Sequence, residues 1–248
     1  MNEDKFTEKS YIYDKYRPKY PSDLFKYLYS MEGFSEKSVI ADVGAGTGIF
    51  SEPLLKRKSK VILVEPNYNM LQEAKRKLYI YRNATFLECN AENIKVASHS
   101  LDFITVAQAF HWFNMEKFKS ECKRLLKDRG KVLLTWNITD SSTNLSKDLT
   151  SLNNLYINNY SYNNRDSENL DCYSKFFKIY NLFYYDNDLE LTRDEFIGRC
   201  LSRSYSPNIN DDIYNEYIAG LMDIFYKNSE HEKIIIKNKT RSMIGFVR

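Results

Sequence analysis

Val39-Ile40-Ala41-Asp42-Val43-Gly44-Ala45-Gly46-Thr47-Gly48 is the stretch whose reading decides the fold. A short apolar run stops in a turn with glycine at every second position. A strand that ends this way leaves backbone N–H groups uncovered by any Cβ, so a ligand can lie directly against the main chain. The dinucleotide fingerprint G-x-G-x-x-G needs glycine at position 49, where this chain has Ile49, and no G-K-[ST] follows. A pyrophosphate or triphosphate is therefore not the natural occupant; a nucleoside carrying an amino-acid tail is.

The chain on either side extends the pattern. Val61-Ile62-Leu63-Val64 is a second continuous apolar run, as expected of a parallel strand buried on both faces, and it ends in Glu65. That carboxylate, 17 positions beyond Gly48, is placed to accept hydrogen bonds from both hydroxyls of a ribose. Leu71, Ala74 and Leu78 fall at helical spacing, and a weaker strand follows at Ala84–Leu87. Asn90-Ala91-Glu92 then offers amide, backbone and carboxylate partners for an adenine edge. Leu101–Val106 reads as a strand, Phe118, Cys122, Leu125 and Leu126 as one helix face, and Lys131–Trp136 as a fifth strand. Strands alternating with helical patterns over 39–136 predict an open, doubly wound α/β sheet. Pro53 requires the helix after the glycine turn to start near Phe50 or to bend there.

Upstream, Tyr11–Pro21 is dense in aromatics, and its two prolines bias Arg17 and Tyr20 away from helix, predicting an extended arm over the turn. Ser22 is expected to cap a helix with Leu24, Phe25 and Leu28 on one face. Downstream, 139–170 is rich in Asn, Ser and Tyr, yet Leu145, Leu149, Leu152 and Tyr156 recur at helical intervals, so it reads as a helical insert with disorder as the alternative. Phe176–Tyr185 suits a sixth strand, and Thr192–Glu195 has the form of a capping box for a helix through Phe196, Ile197, Cys200 and Leu201. Another helix follows Pro207 with Ile213, Tyr217, Leu221 and Phe225 aligned. Ile234–Ile236 and Met243–Val247 read as a closing strand region separated by a turn at Asn238. The expected organisation is one domain over 1–248: a core with its arm at 1–137, a cap that selects the acceptor at 138–230, and the closing region at 231–248.

The 36 Lys and Arg nearly cancel the 33 Asp and Glu, and the remaining +3 does not point to nucleic acid. Cys89, Cys122, Cys172 and Cys200 lie too far apart for a zinc site or a disulfide framework and read as reduced thiols. No metal site is expected. The start of the chain has no apolar core and no stretch approaches the roughly 20 apolar residues of a membrane span, so a cytoplasmic protein is expected.

The ordered set Asp42–Gly48, Val64-Glu65-Pro66-Asn67, Asn90-Ala91-Glu92 and Ala107-Gln108-Ala109-Phe110-His111-Trp112-Phe113 resembles the successive motifs of class I S-adenosylmethionine-dependent methyltransferases. It is similar in particular to the type 11 branch that includes trans-aconitate methyltransferase-like proteins. Tyr13–Pro21 resembles that branch's Tyr-x-x-x-Arg-Pro-x-Tyr-Pro arm. The resemblance covers roughly residues 10–137 and implies a mostly parallel, seven-stranded Rossmann-like sheet with a helical cap insertion. It implies that Gly44, Gly46 and Gly48 border the methionine moiety, Glu65 the ribose, Asn90–Glu92 the adenine, and Ala107 and Gln108 the sulfonium. Asp42, Ala45, Pro66, Asn67 and Met70 fall in the same cofactor-binding set, while Tyr13 and Arg17 cover the cofactor, bind its carboxylate or merely anchor the arm. Leu126-Lys127-Asp128-Arg129-Gly130 departs from the family's usual Lys-Pro-Gly-Gly turn.

In-line transfer from a sulfonium has a good, neutral leaving group, so positioning and exclusion of water can suffice. If the acceptor is a hydroxyl or amine, His111 is the candidate base, though a packing role between Phe110 and Trp112 is open to it. Trp112, Arg203 and Tyr205 are candidates for the acceptor pocket. The expected activity is methyl transfer to a small molecule, with S-adenosyl-L-homocysteine as the product of the cofactor. The alternative is a sensor or scaffold that binds S-adenosylmethionine or S-adenosylhomocysteine and transfers nothing; a nicotinamide-dependent oxidoreductase is disfavoured by Ile49.

Overall fold

The computed structural model describes residues 16–157, 170–203 and 205–247. Its strands are β1 (Val39–Val43), β2 (Lys60–Val64), β3 (Ala84–Leu87), β4 (Leu101–Ala107), β5 (Leu126–Thr139), β6 (Ile179–Asp186), β7 (Leu189–Thr192), β8 (Lys233–Ile236) and β9 (Asn238–Phe246). Its helices are α1 (Ser22–Met31), α2 (Ser51–Lys56), α3 (Tyr68–Leu78), α4 (Met115–Leu125), α5 (Asn144–Tyr156), α6 (Leu170–Phe176), α7 (Arg193–Leu201) and α8 (Tyr214–Asn228). Seven strands form one sheet in the order β3-β2-β1-β4-β5-β9-β6, parallel except for β9, which runs antiparallel to both neighbours. This is the expected doubly wound, mostly parallel seven-stranded sheet.

Period-two alternation divides the sheet between two cores. Ala41, Val43, Ile104, Val106, Val132, Leu134 and Trp136 face a layer containing Phe118, Cys122 and Phe176. Ile40, Leu63, Phe103, Leu133 and Ile244 face the layer of Leu24, Phe25, Leu28, Leu54 and Leu78. Burial on both faces is why Val61–Val64 of β2 reads as a continuous apolar run. A third, smaller core gathers Leu145 with Phe196, Cys200, Tyr217, Leu221 and Phe225 under Ile234 and Ile236. It forms the cap.

Local signals account for several boundaries. Phe50 is the N-cap of α2, which puts Pro53 in the first turn, where its missing N–H costs nothing. Asn67 caps α3 by accepting from the Met70 N–H at 3.0 Å. The capping box of α7 is complete, with Glu195 accepting from the Thr192 N–H at 2.9 Å. The insert is helical through Tyr156, whereas its continuation at 158–169 lies outside the described residues, as do Tyr13 and the Cys172 side chain.

Other boundaries differ from expectation. Pro21, not Ser22, is the N-cap of α1, and the Ser22 hydroxyl instead donates to Asp23. Leu126 is buried but opens β5, a 14-residue strand that runs through Asp128-Arg129-Gly130 without the family's turn. The sixth strand starts at Ile179, because Phe176 ends a helix. Ile234–Ile236 and Met243–Val247 do not close one strand region: β8 pairs with β7 in a separate two-stranded sheet over the cap, and Asn238 starts β9. Both segments have strand composition, and only the partner available to each decides which sheet it joins. Among the described residues no helix is long and apolar enough to cross a membrane.

Candidate functional site

The turn after β1 sits at the C-terminal edge of the sheet, where the strand order reverses between β1 and β4. In doubly wound sheets ligands bind at that switch point. Gly44, Gly46 and Gly48 all have positive φ, at +69°, +54° and +80°. The N–H groups of Gly44 and Ala45 both donate to the Val64 carbonyl, at 2.8 and 3.1 Å, which folds the turn back onto β2. The Gly46 N–H donates to Glu65 Oε2 at 2.9 Å, while Glu65 Oε1 accepts from the Asn67 N–H at 2.9 Å. One buried carboxylate thus ties the glycine turn to the start of α3.

Three glycines in the same turn meet different packing. A Cβ on Gly44 would overlap the Cβ of Ala109, and one on Gly48 would come within 2.6 Å of Leu78 Cδ1. A Cβ on Gly46 would meet only Met70 Cε, at an ordinary 3.7 Å. All three have a backbone conformation that favours glycine, and packing adds a fixed obstacle at 44, the Ala109 Cβ, and the movable ends of two leucine side chains at 48.

Beneath the turn, Asp42 is fully buried and accepts from the Ser51 hydroxyl at 2.5 Å and the Thr105 hydroxyl at 2.8 Å. Burial pushes its carboxyl up to about 6 despite those two donors, with the Glu65 charge adding to the rise. It anchors β1 to β4 and α2 from below.

A cavity of about 40 Å³ opens beside this framework. Seven residues picked from the sequence line it: Arg17, Asp42, Gly44, Ala45, Gly46, Ala107 and Gln108. The arm forms part of its wall, since Pro18 and Tyr20 line it too. The arm is pinned at both ends: Asn187 Nδ2 donates to the Lys19 carbonyl at 2.9 Å, and the Tyr20 ring meets Phe50 edge-on at 4.9 Å. At its other end, Tyr16 packs against Gly198 of α7, where a Cβ would come within 2.5 Å of the ring, and Arg17 Nη2 donates to the Ser202 carbonyl at 3.2 Å. Gln108 holds a left-handed backbone (φ +60°) and its side-chain amide donates to the Asn137 carbonyl at 3.2 Å.

Thr47, Ile49, Phe50 and Asn137 also line the cavity and were not singled out in the sequence. Asn137 follows the apolar run of β5 directly, so its place at a parallel strand's C-terminal end was an available signal. The others lie in or beside the glycine turn: in the sequence Ile49 reads only as breaking the dinucleotide fingerprint, Phe50 only as a helix start and Thr47 only as part of the turn.

The remaining candidates lie apart from the cavity lining. Asn90 is exposed and Ala91 buried, and Glu92 accepts from the Asn114 N–H at 2.7 Å, linking the loops after β3 and β4. Pro66 is half-buried; Asn67 and Met70 are buried at the start of α3. His111 and Trp112 are exposed on a short 3₁₀ turn at Phe110–Trp112, with ring centroids 4.6 Å apart. Arg203 lies over the Tyr205 ring at 5.7 Å and donates to its hydroxyl. It lines a second cavity of about 20 Å³ between the cap and the end of β5, together with Thr139, Ser146 and Cys200. Among the described residues no group of His, Cys, Asp or Glu could hold a metal ion.

Residues 41–134 match the family model described as a methyltransferase domain. That segment is similar to the methyltransferase-domain family. It holds β1 through the middle of β5, including the glycine turn, Glu65, Asn90–Glu92 and His111. A Dictyostelium discoideum protein named as a methyltransferase is 36% identical over 132 residues, 53% of this chain and 48% of the relative. An uncharacterized methyltransferase of Schizosaccharomyces pombe is 33% identical over 131 residues, 52% of this chain and 51% of the relative. The chain spans about half the length of these curated relatives. The solved structure of the YcgJ protein of Bacillus subtilis shares the fold at 20% identity, with a TM-score of 0.59 over 92% of this chain and 99% of that one. The architecture is the class I methyltransferase fold.

Proposed function

We propose that this chain binds S-adenosylmethionine along the C-terminal edge of β1, β2 and β4 and transfers its methyl group in line to a small-molecule acceptor, leaving S-adenosylhomocysteine. The observation that carries this reading is the hydrogen bond from the Gly46 N–H to Glu65, which holds an open glycine turn and the carboxylate proposed for the ribose in one unit beside a cavity. The residues suit such a ligand. Backbone at Gly46 is open to close approach, and a carboxylate offers about four acceptor positions, enough to hold the turn and a ribose diol together. The methyltransferase names of relatives that match about half of the chain support the same reading.

When bound, the cofactor supplies an electrophilic methyl on a sulfonium whose departure leaves a neutral thioether. The protein's part is to hold the acceptor in line and keep water out, and the arm, which walls the cavity and packs against α7 of the cap, is proposed to serve both ends. His111, on the turn that follows β4, is proposed to take the proton from a hydroxyl or amine acceptor. Titration calorimetry with S-adenosylmethionine and S-adenosylhomocysteine tests the reading: the parent is expected to bind at micromolar concentrations, and Gly46→Arg and Glu65→Ala to lose that binding while remaining folded. Equal binding by parent and variants overturns it.

A further inference from the structure

Arg199, on α7, is only 7% exposed. Its Nη2 donates a long hydrogen bond, 3.5 Å, to Thr139 Oγ1, and its Nε has no acceptor. No carboxylate among the described residues pairs with it. Among the described residues the charges facing it from the packed elements are two more cations, Arg203 from beyond its own helix and Arg17 from the arm, and its other titratable neighbours are the thiol of Cys200 and the phenol of Tyr205. Burial and those two cations push its guanidinium down to about 9, which leaves it charged at neutral pH. A buried charge without a counter-charge is costly, and natural proteins rarely keep one that meets no anion.

Its place in the fold says what the anion is for. Arg17 lines the cavity beside the glycine turn, Thr139 and Arg203 line the second cavity, and Arg199 lies between those two arginines, tied to the second cavity by its bond to Thr139. The cluster therefore lies at the junction of arm, cap and the end of β5, on the side where an acceptor must approach. Guanidinium groups are planar forks matched to two-oxygen anions.

We propose that Arg199, flanked by Arg17 and Arg203, is the anchor for an oxyanion on the methyl acceptor, so that the acceptor is an anionic small molecule. This rests on the methyltransferase reading above. The cofactor's own carboxylate is the other source of the same chemistry, and the test separates the two by filling the cofactor seat first.

The full chain, saturated with S-adenosylhomocysteine, is titrated with malonate and with its uncharged analogue malonamide, by calorimetry and by thermal unfolding. Malonate is expected to bind and to raise the unfolding midpoint, an effect that fades with added chloride; malonamide is expected to do neither. Arg199→Met is expected to weaken malonate at least about tenfold while binding S-adenosylhomocysteine within a factor of about two of the parent, and to melt no lower than the parent without ligand, because it removes an uncompensated buried charge. Should that variant fail to fold, Arg203→Gln, at a half-buried position, is expected to weaken malonate in the same direction. The inference is overturned if the saturated parent ignores malonate, if malonamide matches malonate, or if Arg199→Met binds malonate undiminished. It is equally overturned if that variant loses S-adenosylhomocysteine, which would assign the cluster to the cofactor's carboxylate. Failure of the parent to bind S-adenosylhomocysteine at all instead removes the methyltransferase reading.

Discussion

Alanine at Gly44 and alanine at Gly46 are chemically the same change two residues apart, yet the structure separates their costs. Both positions have positive φ, which costs an L-residue about 1–2 kcal/mol. At Gly46 the added methyl has room, with Met70 Cε at 3.7 Å, so the cost stays near about 1 kcal/mol. At Gly44 it meets the Cβ of Ala109, which has no side-chain torsion with which to move away, and behind it Phe113 at 3.3 Å. The backbone of the loop after β4 must shift, adding the roughly 1–3 kcal/mol typical of overpacking and bringing the total to about 2–5 kcal/mol. Urea unfolding followed by tryptophan fluorescence measures both, since Trp136 is buried in the sheet while Trp112 is exposed. If the two variants lose the same stability, within about 0.5 kcal/mol, the packing explanation for Gly44 is wrong.

Other perturbations test the same framework. Asp42 is raised from 3.8 to about 6 in the folded protein, so its contribution is fully present below about pH 4 and lost as pH rises through about 6; this amounts to about 3 kcal/mol. Across that window the stability of the parent relative to Asp42→Asn is expected to fall, and a difference that stays flat with pH would falsify the assignment. Glu65→Gln replaces one of two oxygens that each accept a backbone N–H with an amide donor, and is expected to cost about 2 kcal/mol, read by the same urea titration, with a parallel loss of S-adenosylhomocysteine affinity. His111→Ala, at an exposed position, is expected to change stability by no more than about 0.5 kcal/mol and to keep cofactor affinity while losing turnover of a hydroxyl or amine acceptor. Thr192→Ala removes the cap of α7 and is expected to cost about 1 kcal/mol in thermal or urea unfolding.

The core of this protein was legible because its signals are local. Val39–Val43 is apolar but for Asp42 and Val61–Val64 is apolar throughout, since both faces of those strands are covered, and Glu65 reads as functional since a strand's C-terminal end fixes where it lies. The capping residue Thr192 acts on a backbone group three positions away, so the Thr192–Glu195 spacing alone predicts the start of α7.

What was missed depends on partners remote in the chain. Nothing in Ile234-Ile235-Ile236 distinguishes a strand of the main sheet from one that pairs with Leu189–Thr192; that choice was made by the cap core that Ile234 and Ile236 cover. Gly44 and Gly46 look alike in sequence, and only the approach of Ala109 separates them. Arg199 reads as a routine cation near a helix end, because the features that set it apart are the burial of its guanidinium and the convergence of Arg17 and Arg203 from elsewhere in the chain. Periodicity, caps and the glycine turn are properties of neighbours, and the sequence by itself determined the fold class and the seat proposed for the donor. Burial, sheet partner and charge environment are properties of the packed whole, and only the tertiary structure decided how the cap closes and which cations gather beside the cavity.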